Sequence, residues 1–104
     1  MNENYIERVR AHLTDSELLC QLAEECAELA QAALKLRRVI TGDNPTPVSE
    51  REASADFVEE VADVMGCLMA LEFPTGCGEI RDIQESKFRR WVERLEARGA
   101  ELGG

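Results

Sequence analysis

Two short punctuation signals constrain this chain more than any other feature. Thr14-x-x-Glu17 and Ser49-x-x-Glu52 both carry the residues of a capping box. In that motif a hydroxyl accepts a backbone N–H three residues on, and the glutamate answers the N-cap N–H. Behind each box, apolar residues recur with a period near 3.6, from Leu18 to about Ile40 and from Ser49 to about Glu72. Two long amphipathic helices follow from that pattern. Thr41-Gly42 stops the first, Asp43-Asn44-Pro45-Thr46-Pro47 must be loop, and Pro74 lies just beyond the second. A third helical pattern runs from about Glu79 to Arg98, with Gly99 as its expected end and 99–104 as a flexible tail. Residues 1–13 are a leading segment that holds a short helix. No segment alternates with period two, so strands are not expected. The reading is a single all-α domain over residues 1–104, an antiparallel bundle of about four helices.

Charge and cysteine usage narrow the partners. Twelve basic residues stand against 21 acidic ones, a net charge of −9. That balance argues against nucleic acid polymers and anionic membranes, which are held by neutralising phosphates. It leaves room for a small phosphate ligand that arrives with a metal. Aromatic residues make up only 5% of the chain, too few for a base-stacking platform. There is no basic-apolar-small leader pattern and no apolar run near the ~20 residues that span a bilayer. Cys20, Cys26, Cys67 and Cys77 show neither C-x-x-C spacing nor disulfide-scaffold density. Three of them fall in apolar helical stretches, as small hydrophobes do. A reduced, cytoplasmic chain with Cys20, Cys26 and Cys67 buried is expected, and Cys77, in Thr75-Gly76-Cys77-Gly78, is the thiol best placed to be exposed and reactive.

Six carboxylate pairs stand at i,i+3: Glu25/Glu28, Asp56/Glu59, Glu60/Asp63, Glu79/Asp82, Asp82/Glu85 and Glu93/Glu96. Chance alone supplies about four at this acidity, each on one helix face, so surroundings must decide. Glu25 falls inside the apolar stripe of Leu18, Leu22, Leu29 and Leu36. Glu60 is followed on its core face by Val64, Cys67 and Leu71, and Asp63 by Cys67 and Ala70. From Val61 to Leu71 only Asp63 is ionisable, the mark of a helix buried nearly all round. Glu25, Glu28, Glu60 and Asp63 have no Lys or Arg at i±3 or i±4, whereas Glu85 and Glu93 do. Unpaired like charges near a core either raise their pKa or demand a cation. A hard divalent ion such as Mg²⁺ would meet that demand; the bland alternative leaves the four acids in water at the edge of the bundle.

Basic residues supply a complement. Lys87, Arg90 and Arg94 share one sector of the last helix, and Lys35 lies seven residues beyond Glu28 on the acidic face. Salt bridges to Asp82, Glu93 and Glu96 are the ordinary explanation for the three on the last helix. Paired acids for a metal beside a basic edge describe a site for a metal-complexed polyphosphate.

The order Glu24-Glu25-x-x-Glu28, then Glu60-x-x-Asp63, then Lys87-Phe88-Arg89-Arg90-Trp91 resembles the signature of the MazG-like all-α nucleoside triphosphate pyrophosphohydrolases. The wider strings LAEECAELAQAALKLRR and EEVADVMGCLMALE resemble that family's two metal-binding helices, and the likeness spans roughly residues 14–95. The resemblance implies Mg²⁺-dependent cleavage of a nucleoside or deoxynucleoside triphosphate to the monophosphate and pyrophosphate, with Mn²⁺ able to substitute. Glu25, Glu28, Glu60 and Asp63 fall at the family's metal-ligand positions, and Lys87 and Arg90 at positions associated with phosphates. It also implies a homodimer or homotetramer, which suits a small core flanked by so much apolar helix. The 31 residues between Glu28 and Glu60 exceed what is common in the family, and the excess falls in the Pro45/Pro47 loop.

Catalysis then needs a carboxylate to take a proton from water. Glu28 and Glu24 are the candidates, Glu24 pointing about 100° away from Glu25; a solvent-facing role suits Glu24 equally. Lys35, Lys87, Arg90 and Arg94 would meet the phosphates. His12 lies outside all three motifs and reads as a surface or packing residue, and Trp91, beside Phe88 and Leu95, as core. A di-iron carboxylate bundle is disfavoured, because it wants Glu-x-x-His on two helices. The other alternative is a non-catalytic helical adaptor that keeps the bundle.

Overall fold

A computed structural model describes residues 4–43, 47–72 and 78–103, with side chains to residue 100. Helix accounts for 89% of the described residues, and none of them lies in a strand. The elements are α1 (Tyr5–His12), α2 (Asp15–Thr41), α3 (Glu50–Ala70) and α4 (Gly78–Gly103). They fall into two units, Met1–Phe73 with α1 to α3 and Pro74–Gly104 with α4. No described helix is long and apolar enough to cross a membrane.

Local chemistry sets the helix ends. At Thr14 the capping box closes in both directions: the Glu17 N–H donates to Thr14 Oγ1 (3.1 Å) and the Thr14 N–H donates to Glu17 Oε1 (3.0 Å). Gly42 ends α2 at φ 71°, a left-handed geometry that glycine adopts without steric cost. Ser49 Oγ accepts the Glu52 N–H (3.1 Å) to open α3. Asn4 does the same for α1, its Oδ1 accepting the Glu7 N–H (3.0 Å).

The α2/α3 pair packs through two stripes spaced alternately by four and three residues, the spacing at which facing helices interdigitate. Leu18, Leu22, Glu25, Leu29, Ala32, Leu36 and Val39 form the stripe on α2; Ala53, Phe57, Glu60, Val64, Cys67 and Leu71 form that on α3. Leu18 (3% exposed) and Ala53 (1%) are buried along these stripes, and Ala70 (6%) lies beside Leu71; the other stripe members are half-buried. Arg10 fastens α1 to the end of α3. Its Nη1 donates to the Ala70 carbonyl and to Asp15 Oδ1 (3.2 Å), and its Nε pairs with Glu72 Oε1 (3.2 Å). One orphan carbonyl of the last α3 turn is thereby satisfied by a side chain from another element.

Three expectations need correction. Cys20 and Cys26 are exposed and Cys67 is half-buried, because Cys20 and Cys26 fall outside the α2 stripe that meets α3. Gly99 does not end the last helix, which continues to Gly103. An added Cβ at Gly99 would meet nothing within 4 Å, and glycine amid good helix formers costs only about 1 kcal/mol relative to alanine. Nor is α3 buried all round: Val58 (64% exposed), Met65 and Met69 are open. Within its unit α3 has one long partner, which covers a single face. Two features, residues 44–46 of the proline loop and Cys77, lie outside the described residues.

Candidate metal centre

The half-buried stripes are where the carboxylates meet. Glu25 and Glu60 occupy positions that the surrounding periodicity gives to Leu, Val and Cys, so helix packing carries both acids to the α2/α3 seam. Asp63, one turn after Glu60, is exposed at the rim. One carboxylate oxygen from each of Glu25, Glu60 and Asp63 lies within 4.8 Å of the other two.

Partners are scarce at this cluster. Gln21 Nε2 donates to Glu25 Oε1 (2.7 Å). Glu25 Oε2 and Glu60 Oε2 are buried and have no hydrogen-bond partner. The Gln21 bond pulls the Glu25 pKa down, but burial and the negative charges of Glu28 and Asp63 outweigh it, and the net shift is upward. Glu60 is raised by burial first, then by the charges of Glu28, Asp63 and Glu25. Burial also raises the Cys67 thiol, with Glu25 and Asp63 adding to the shift.

Such an arrangement suits a hard cation. Oxygen ligands at 2.0–2.6 Å from Mg²⁺ or Ca²⁺ lie at most about 4 to 5 Å apart, and the three carboxylates already satisfy that span. The two orphaned oxygens are unexplained by any protein donor. The residues present therefore fit a divalent ion bound by carboxylate oxygen.

Other expected site residues are distributed around this centre. Glu28 is exposed and outside the three-carboxylate set, although its charge acts on both Glu25 and Glu60. It lines an open groove of about 540 Å³ with Gln31, Lys35, Arg38, Asp56, Glu59 and Glu60, a size in the range of small-molecule sites. Lys35 is in that groove, its Nζ 3.5 Å from Asp56 Oδ2. Glu24 is exposed on α2 and takes no part in the cluster. On the α4 unit, Lys87, Arg90 and Arg94 do come together, lining one concavity with Trp91. Trp91 is 55% exposed rather than core, its ring stacked near Phe88 with centroids 6.3 Å apart. His12 is exposed on α1, as expected of a surface residue.

Sequence reasoning missed Gln21 and Arg38, and it counted Asp56/Glu59 as a carboxylate pair without placing it beside this centre, so none of these four was advanced. The signal existed for two of them: Gln21 stands four residues before Glu25 and Asp56 four before Glu60, the spacing of neighbours on one helix face. Compared with protein-family models, curated proteins and solved structures, the chain finds no match.

Proposed function

We propose that this chain is a divalent-cation-dependent nucleoside triphosphate pyrophosphohydrolase of the MazG-like kind, releasing the monophosphate and pyrophosphate. The observation that carries the reading is the pair of buried, unpartnered oxygens of Glu25 and Glu60 beside Asp63, three like charges gathered at a helix seam. Such a gathering is costly without a cation.

Glu25, Glu60 and Asp63 would hold Mg²⁺, or Mn²⁺ in its place. When bound, the ion supplies charge neutralisation for phosphate oxygens and lowers the pKa of a coordinated water. Glu28, at the boundary of the cluster and the polar groove, is the first choice for taking the proton from the attacking water, and Glu24 the second. Lys35 and Arg38 supply positive charge along the groove. Lys87, Arg90 and Arg94 supply it on α4 and bind phosphate.

The same reading takes α2 and α3 as antiparallel. Leu18 and Ala70 line one hollow at one end of the pair, and Lys35 pairs with Asp56 toward the other. It also makes the protein a homodimer or homotetramer. Exposed Leu19, Leu34 and Ile40 on α2, with Val58, Met65 and Met69 on α3, are the apolar surface a second copy would cover. We place it in the cytoplasm, where thiols outside any C-x-x-C spacing stay reduced.

The test is a panel of ribo- and deoxyribonucleoside triphosphates assayed for pyrophosphate release with Mg²⁺, Mn²⁺ or EDTA. Activity with either metal, abolished by EDTA and by Glu60→Gln in a folded protein, is the expected result. Equal turnover in excess EDTA overturns the metal-dependent reading. Silence across the panel favours the adaptor.

A further inference from the structure

A second hollow adjoins the carboxylates on the side away from the polar groove. Leu18 of α2, Val9 and Leu13 of the α1 segment, and Gly66, Cys67 and Ala70 of α3 line it, and its volume is about 350 Å³. Glu25 and Asp63 form its border with the cluster, and Gln21 is the one uncharged polar side chain in its wall. We propose that this hollow is the nucleobase subsite of the same active centre, holding a flat heteroaromatic ring while the phosphates lie toward the groove of Lys35 and Arg38. The inference rests on the hydrolase reading above and adds where the base sits.

Four observations support that occupant. The hollow is apolar yet continuous with charged groups, as a ligand with an aromatic end and an anionic end requires. Gln21 gives its Nε2 to Glu25 Oε1, so its Oε1 remains as the acceptor for a ring N–H or exocyclic amine. Exposed Gly66 lines the hollow and leaves open space beside it, where an added Cβ would meet nothing within 4 Å. A half-buried Cys67 sulfur in the wall suits contact with a ring edge.

Gly66 also supplies a clean test. An added Cβ at Gly66 meets no neighbour, so Gly66→Ala and Gly66→Leu place new side-chain atoms at the wall of the hollow, and replacing a mid-helix glycine favours the helix. In full-length protein with EDTA, methyl NMR signals of Val9, Leu13 and Leu18 should shift on addition of at least one of adenosine, guanosine, cytidine, uridine or thymidine. Gly66→Leu should weaken that binding about tenfold, with Gly66→Ala intermediate, at an undiminished melting temperature. For the hydrolysed triphosphate, KM should rise about tenfold while inhibition by inorganic pyrophosphate, which has no base, stays unchanged. The subsite is overturned if no nucleoside moves those methyls, or if the Gly66→Ala and Gly66→Leu proteins bind as the parent does. It is equally overturned if Gly66→Leu changes the sedimentation coefficient, because a second chain then fills the hollow. Absence of hydrolysis with Mg²⁺ across the panel sinks the enzymatic reading instead, whatever the nucleosides do.

Discussion

Glutamates at two places in this chain respond to acid in opposite directions. The Glu17 carboxyl is held below its ordinary value of 4.5 by the backbone N–H and hydroxyl of Thr14. Folding therefore releases its proton, and its contribution to stability is complete above pH 4.5 and fades as the pH falls through the folded value. Glu25 and Glu60 are raised, so the folded, metal-free protein keeps protons that the unfolded chain loses. Their effect is least harmful in acid and stability drops as the pH climbs above 4.5. Thermal scans in EDTA should show that decline, and Glu60→Gln should flatten it while raising the melting temperature near pH 7. A melting temperature lowered by Glu60→Gln in EDTA would mean the carboxylates do not repel one another. Periodicity made the placement of Glu25 and Glu60 legible, since each interrupts an apolar stripe. That Glu28 adjoins Glu25 and Glu60 yet falls outside the tightest three-carboxylate set was not legible, because i,i+3 spacing sets a shared face but not how closely each oxygen approaches.

At the scale of the element, stability concentrates at few places. Leu18 is the most buried large side chain among the described residues, and Leu18→Ala should cost roughly 2–5 kcal/mol in chemical denaturation. Thr14→Ala removes both halves of the capping box and should cost about 1 kcal/mol. Gly99→Ala should gain up to about 1 kcal/mol of helix propensity, seen as increased α4 protection in hydrogen exchange. The boundaries of α2 and α3 could be read within one or two residues because hydroxyl caps and Gly42 act locally. The end of α4 could not, since glycine penalises a helix interior mildly and nothing at Gly99 requires a left-handed backbone. Arg10 escaped notice for a different reason. Its partners at Ala70 and Glu72 lie 60 and more residues away, and no spacing rule reaches that far.

Over the whole molecule, the proposed cation would link binding to folding. An ion that binds only the folded chain stabilises it by about 2.7 kcal/mol at a hundred times its dissociation constant. Mg²⁺ should therefore raise the melting temperature of the parent and leave that of Glu60→Gln unmoved; a parent unaffected by Mg²⁺ and Mn²⁺ contradicts the proposed centre. Composition argues against polyanionic macromolecules as partners, but the open apolar residues of α2 and α3 emerged only once each helix had been given its partner. The two hollows on either side of the carboxylates differ in kind, one lined by Lys35, Arg38 and Asp56, the other by Leu18, Gly66 and Ala70. For the proposed nucleotide, a slot with such unlike ends fits in one direction only. A symmetric compound bearing a nucleoside at both termini of a polyphosphate would seat one terminus and leave the other without a home. In competition assays it should bind no tighter than the corresponding single-ended triphosphate.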